Sequence, residues 1–141
     1  MKYLAIIITI WTLNLYGQKV ETKLNTVRIS YQKTLTSLPE IYEINLTKRE
    51  IDYISPTLKF PPEKETKVTK KLTTEKWNEM KGFVSEINFD LLKSSTESNV
   101  KESWFSINLT YSNGKSKTIK IEKKTAPKTL IELNNFVQNN K

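Results

Sequence analysis

Two stretches of the chain face each other across a glycine, and the way they must pair leaves little freedom of fold. Trp104 to Tyr111 and Lys115 to Glu122 alternate apolar and polar residues and flank Ser112-Asn113-Gly114. Successive side chains in a strand point to opposite faces, so a register slip of one residue moves every apolar group from core to water. A two-residue Asn-Gly turn pairs Asn108 with Ile119 and Ser106 with Ile121, setting polar against apolar. A three-residue loop with Gly114 left-handed instead pairs Ile107 with Ile119 and Phe105 with Ile121. The hydrophobic face selects the second register. It assigns Phe105, Ile107, Leu109, Ile119 and Ile121 to the core, and Trp104, Ser106, Asn108, Thr110, Thr118 and Lys120 to the opposite face. A hairpin with one apolar and one polar face belongs to an antiparallel sheet covered on one side only.

The preceding chain supplies the rest of that sheet. Residues 18–25 are polar and read as a loose start. Val27, Ile29 and Tyr31 alternate with Arg28, Ser30 and Gln32, and Tyr42, Ile44 and Leu46 repeat the pattern. Thr47-Lys48-Arg49 turns into a short third strand at Ile51 and Tyr53, which stops before Pro56. Pro56, Pro61 and Pro62 mark an irregular excursion. Val68 and Leu72 then lie in a lysine-rich edge strand that resists pairing with other sheets.

Two segments carry helical periodicity. Thr73 is a good N-cap, with Leu72 and Trp77 placed to staple it. Trp77, Met80, Phe83, Val84 and Ile87 form one apolar face, and Phe89, Leu91 and Leu92 are expected to close over the core. Thr125-Ala126-Pro127 opens a second helix with Leu130, Ile131, Leu133, Phe136 and Val137 as its buried stripe. The order is β-β-β-β-α-β-β-α. It predicts an α+β domain, an antiparallel sheet of about five to six strands with two helices packed on one face.

The N-terminus addresses compartment. Met1-Lys2 is basic, Tyr3 to Leu13 is apolar apart from two threonines, and Gly17 precedes Gln18. That is the layout of a secretory signal peptide over residues 1–17, with a single domain over 18–141. The apolar run falls short of the roughly 20 residues that span a bilayer, so no transmembrane span is expected in the mature chain. There is no cysteine for a disulfide, nor for a lipid anchor after the cleavage site, where Gln18 stands. The expected product is exported, periplasmic or secreted, soluble, and not a lipoprotein. Its formal charge of +8 falls to +7 without Lys2, spread along the chain as a solvated basic surface.

Composition excludes most catalytic chemistry. The chain has no histidine and no cysteine, so imidazole bases, thiolate nucleophiles and nearly all zinc sites are unavailable. Three glycines, Gly17, Gly82 and Gly114, form no phosphate-cradling loop or dinucleotide fingerprint, and no cofactor and no metal is expected. The candidate binding residues are Trp104, Asn108 and Lys120, on the polar side of the hairpin, where an indole beside hydrogen-bonding groups suits a protein partner or a sugar. The lysines Lys115, Lys117, Lys120, Lys123, Lys124 and Lys128 crowd the same hairpin and its exit, a surface that attracts an anionic polymer. Export disfavours nucleic acid as the partner. The expected function is an exported non-catalytic interaction module that binds a protein or envelope component in the bacterial envelope or medium. The alternative is a small carboxylate-dependent hydrolase of glycan or peptidoglycan, drawing on Glu75, Glu79, Asp52 and Asp90.

Overall fold

The computed structural model describes residues 22–34, 36–56, 65–95 and 103–141. The expected signal peptide lies outside them, as do most of the proline-bearing excursion and residues 96–102 ahead of Trp104. Six strands are present: β1 (Leu24–Gln32), β2 (Glu40–Asn45), β3 (Glu50–Ser55), β4 (Thr66–Lys71), β5 (Trp104–Tyr111) and β6 (Ser116–Glu122). Helix α1 (Thr74–Glu86) separates β4 from β5, and α2 (Lys128–Asn139) follows β6. All strands pair antiparallel in the order β4-β3-β2-β1-β5-β6. The first four form a meander. α1 then carries the chain back to the free side of β1, where the hairpin of β5 and β6 completes the sheet. Both helices pack on one face, as the element order predicts.

The hairpin adopts the register chosen by its hydrophobic face, with Ile107 opposite Ile119 and Phe105 opposite Ile121. Gly114 has φ of 78°, and its N–H donates to the Tyr111 carbonyl at 2.9 Å. The Tyr111 N–H in turn donates to the Lys115 carbonyl at 2.9 Å, closing the three-residue loop. Glycine reaches that left-handed φ without the Cβ clash other residues suffer. On the other side β5 meets β1, with Ile107 against Ile29 and Leu109 against Val27. The inner face is continued by Tyr42 and Ile44 from β2 and by Ile51 and Tyr53 from β3, all buried.

The helices seal this face as their periodicity requires. The Thr73 side chain accepts the Lys76 N–H at 3.4 Å, and Trp77, Met80, Val84 and Ile87 are buried. Leu130, Leu133 and Val137 of α2 are fully buried, and the rings of Phe83 and Phe136 meet between the helices at 5.8 Å. The Tyr53 hydroxyl donates to the Val137 carbonyl at 2.9 Å, a buried tie from the sheet to α2.

Four local expectations are corrected. β1 already begins at Leu24, inside the expected loose start, because Lys23 and Ser112 exchange hydrogen bonds that align its beginning with the hairpin loop. Leu91 is 75% exposed, since a turn in which the Leu91 N–H donates to the Asn88 carbonyl rotates it outward while Phe89 stays buried. α2 starts at Lys128: residues Lys123–Thr125 form a separate 3-10 turn, and Pro127 caps the helix instead of opening it. Asn134 joins the buried stripe of α2. Among the described residues, no helix is long and apolar enough to cross a membrane.

Candidate functional site

Every second residue of the sheet points away from the helices, and the register lines these residues up in rows. One row runs across all six strands: Thr69, Asp52, Glu43, Arg28, Asn108 and Thr118. The neighbouring row is Lys67, Ile54, Ile41, Ser30, Ser106 and Lys120. Beyond it, Trp104 stands between Gln32 and Glu122. Sequence pattern placed Trp104, Asn108 and Lys120 on this face, and the register puts all three there. Lys120 is the diagonal neighbour of Trp104, about 7–8 Å away along the backbone. Asn108 lies four residues along β5, about 13 Å from Trp104, with Ser106 between them.

The two halves of the face differ in electrostatics. On the β3–β4 side the charges are consumed locally. The Thr69 hydroxyl donates to Asp52 at 2.6 Å, Lys67 lies 3.8 Å from the same carboxylate, and Lys71 lies 3.6 Å from Glu50. Arg28 donates to Glu65 at 2.7 Å, and Ile54 is buried although it is on the outer side. On the β5–β6 side Asn108 and Lys120 are exposed, and neither side chain has a partner among the described residues. Trp104 is half-buried. Its two cross-strand neighbours are occupied elsewhere: Gln32 donates to the carbonyls of Thr34 and Ser37, and Glu122 binds Lys124 at 3.0 Å.

The outer edge of β6 is protected at Lys120. The Ser95 N–H donates to the Lys120 carbonyl at 2.7 Å, and the Lys120 N–H donates to Ser94 Oγ at 3.2 Å. Pairing these groups removes the unpaired ladder that makes an edge strand adhesive. The backbone at this point is therefore held in place while the Lys120 side chain stays outward.

The lysines grouped by sequence do not form one patch. Strand alternation sends Lys117 to the inner side, opposite Leu109, where it donates to the Phe89 carbonyl at 2.9 Å and lies 3.9 Å from Asp90. Lys124 binds Glu122, Lys128 binds Glu132 at 3.3 Å, and Lys123 sits over the Tyr31 ring. Lys120 remains on the outer face. The four carboxylates considered for hydrolysis do not converge either. Asp52 is on the outer face and tied to Thr69 and Lys67, whereas Glu75 and Glu79 are exposed on α1, across the sheet. Asp90 projects from the turn after α1. Among the described residues, no three acidic side chains are grouped to hold a metal ion.

Arg28 and Glu43 belong to the long outer row and were not singled out by sequence reasoning. Alternation in β1 and β2 marks them as outward, but their alignment with Asn108 depends on β5 docking against β1. No family model, curated protein or solved structure matches this chain.

Proposed function

We propose that the protein is an exported, non-catalytic interaction module, soluble and without a lipid anchor, that holds a protein or envelope component against the outer face of β5 and β6. Export rests on the charged, apolar and small-residue succession of residues 1–17. The observation that carries the binding reading is the placement of Trp104, Asn108 and Lys120 on one accessible face, with the polar side chains unengaged among the described residues. Tryptophan contributes large apolar area with a single N–H donor, and it dominates many interface hot spots. The Lys120 ammonium diagonal to it supplies long-range attraction, and the exposed Asn108 amide, about 13 Å along the same strand, supplies direction. An anionic polymer is the weaker partner class, because Lys117, Lys124 and Lys128 are already engaged with carboxylates.

The test is capture from the producer's envelope and medium at physiological salt, with Trp104→Ala as control. A partner held by the wild type and lost from the still-folded variant is the expected outcome. Capture that is indifferent to Trp104→Ala, together with an unchanged tryptophan emission spectrum, removes the basis of the proposal. Retention on an anionic matrix that vanishes between low and physiological salt points instead to charge alone.

A further inference from the structure

A second site lies on the helix-covered side of the sheet, and its chemistry is independent of the outer face. β1 begins and β2 ends at one margin of the sheet, so Leu24 and Leu46 both lie there, half-buried against the core. On α1, Trp77, Lys81, Val84 and Ser85 recur at spacings of three and four and so share one side of the helix. With Arg49 from the loop between β2 and β3, these residues line a cleft of about 400 Å³ whose walls are more apolar than polar. That size falls within the roughly 300–1,000 Å³ typical of small-molecule pockets.

The polar part of the lining is cationic. Arg49 and Lys81 are both exposed, and neither has an acidic partner among the described residues. The chain's other arginine, Arg28, is matched by Glu65 at 2.7 Å. The Ser85 hydroxyl donates to the Gly82 carbonyl at 2.8 Å, so polar recognition falls to the two cations. Arg49 also has φ of 60°, a left-handed conformation that crowds any Cβ and that glycine or asparagine takes more easily. The loop holds it there: the Arg49 N–H donates to the Asn45 carbonyl and the Lys48 N–H to Asn45 Oδ1, both at 2.9 Å. The Leu46 N–H donates to the Asn25 carbonyl at 2.9 Å and fixes the loop to β1. What arginine adds at this strained position is a guanidinium at the rim of an apolar cleft, opposite a second unmatched cation.

We infer that this cleft binds a single-chain amphiphile whose head is a phosphate monoester. The alkyl chain lies against Leu24, Leu46, Trp77 and Val84, and the head meets Arg49 and Lys81. A phosphate monoester carries about 1.5 to 2 negative charges at neutral pH, which balances both cations, and its oxygens fit the fork of a guanidinium. A carboxylate head balances only one of them. The chain supplies the apolar contact that neither cation can make, so head and tail are both required.

The experiment titrates the purified protein with octyl phosphate, followed by the chemical shifts of the backbone amides and of the Trp77 indole N–H. Octanol and inorganic phosphate serve as the tail and the head alone. Saturable shifts at Leu24, Leu46 and Trp77 are expected, with Trp104 unmoved, and each half-ligand should bind about tenfold or more weakly. Lys81→Gln should weaken binding about tenfold and leave the unfolding midpoint unchanged. Arg49→Gly should weaken binding at least as much yet raise the midpoint, because glycine relieves the left-handed φ. A purely structural arginine does not produce that combination. If Arg49→Gly disturbs the loop, seen as an altered Asn45 amide without ligand, Lys81→Gln decides alone. Absence of saturable shifts with octyl phosphate at about 1 mM overturns the inference. So does equal binding of octanol, shifts confined to Trp104 and Asn108, or full affinity in Lys81→Gln. Sedimentation with vesicles of anionic lipid, without binding of octyl phosphate, overturns it in favour of a membrane surface.

Discussion

Replacing Tyr42 with phenylalanine removes one oxygen from the centre of the core, and the structure sets both the sign and the size of the effect. Tyr42 is fully buried on β2, between Ile29 and Tyr53, and its hydroxyl has no hydrogen-bond partner among the described residues. A buried hydroxyl without a partner costs about 1–3 kcal/mol, while phenylalanine keeps the ring and its contacts. Tyr42→Phe should therefore stabilise the protein by about 1–2 kcal/mol, after a small loss of dispersion where the oxygen was. For a domain of this size that is a rise of roughly 3–10 °C in the unfolding midpoint.

Alkali provides an independent arm of the same test. Burial, followed by the nearby Tyr53 and Glu40, raises the Tyr42 pKa above its ordinary value of 10. Above about pH 10 the unfolded chain has lost this proton and the folded protein has kept it, so the folded state binds more protons and stability falls with rising pH. The slope is about 1.4 kcal/mol per pH unit for the one group, and below pH 10 it is flat. Tyr42→Phe lacks that loss, so its advantage should widen by about 1 kcal/mol between pH 7 and pH 11. Tyr53 and Tyr111 are also raised by burial, so both proteins retain a shared alkaline decline. Urea unfolding of wild type and variant at the two pH values measures all of this. A variant destabilised by about 1 kcal/mol or more at pH 7, or parallel declines in alkali, would show that the hydroxyl has a partner such as a bound water.

Two further substitutions probe the local signals from which the fold was read. Gly114→Ala places a Cβ at φ of 78° and should cost about 1–2 kcal/mol in denaturant unfolding, with faster amide exchange at Tyr111 than in wild type. Unchanged stability would mean the hairpin register does not depend on that loop. Thr73→Ala removes the N-cap of α1; because the bond is long at 3.4 Å, the loss should be about 0.5–1 kcal/mol, with Thr73→Asp restoring it. A loss above about 2 kcal/mol would indicate that Thr73 contributes more than a cap.

What was legible in the chain followed the range over which each signal acts. Gly114 and the alternation on either side of it specify the hairpin register, because turn and strand are contiguous and one slip would bury Asn108 and Ser106. Thr73 and the spacing of Trp77, Met80, Val84 and Ile87 specify α1 for the same reason. Leu91 was misread because its side chain follows a tight turn whose direction depends on where Phe89 and Leu92 find the core. Asn134 was missed because an asparagine in an Asn-rich helix end looks solvated until the helix is docked. The candidate face divides in the same way: alternation alone assigned Trp104, Asn108 and Lys120 to one side, and it assigned nothing about their neighbours.

The sequence by itself determined the elements, their order, which side of each strand meets the core, and the register of the one hairpin closed by a glycine. These depend on interactions within a few residues, where side-chain period and turn geometry admit a single low-energy solution. Tertiary structure alone decided that β5 docks on β1 and not on β4, and so aligned Arg28 with Asn108 and brought Tyr31 to Phe105. It also split the lysines and buried the Asn134 side chain. Contacts of that kind join residues far apart in the chain, and they are chosen by burying the whole apolar face at once, a condition that no local stretch of sequence can express.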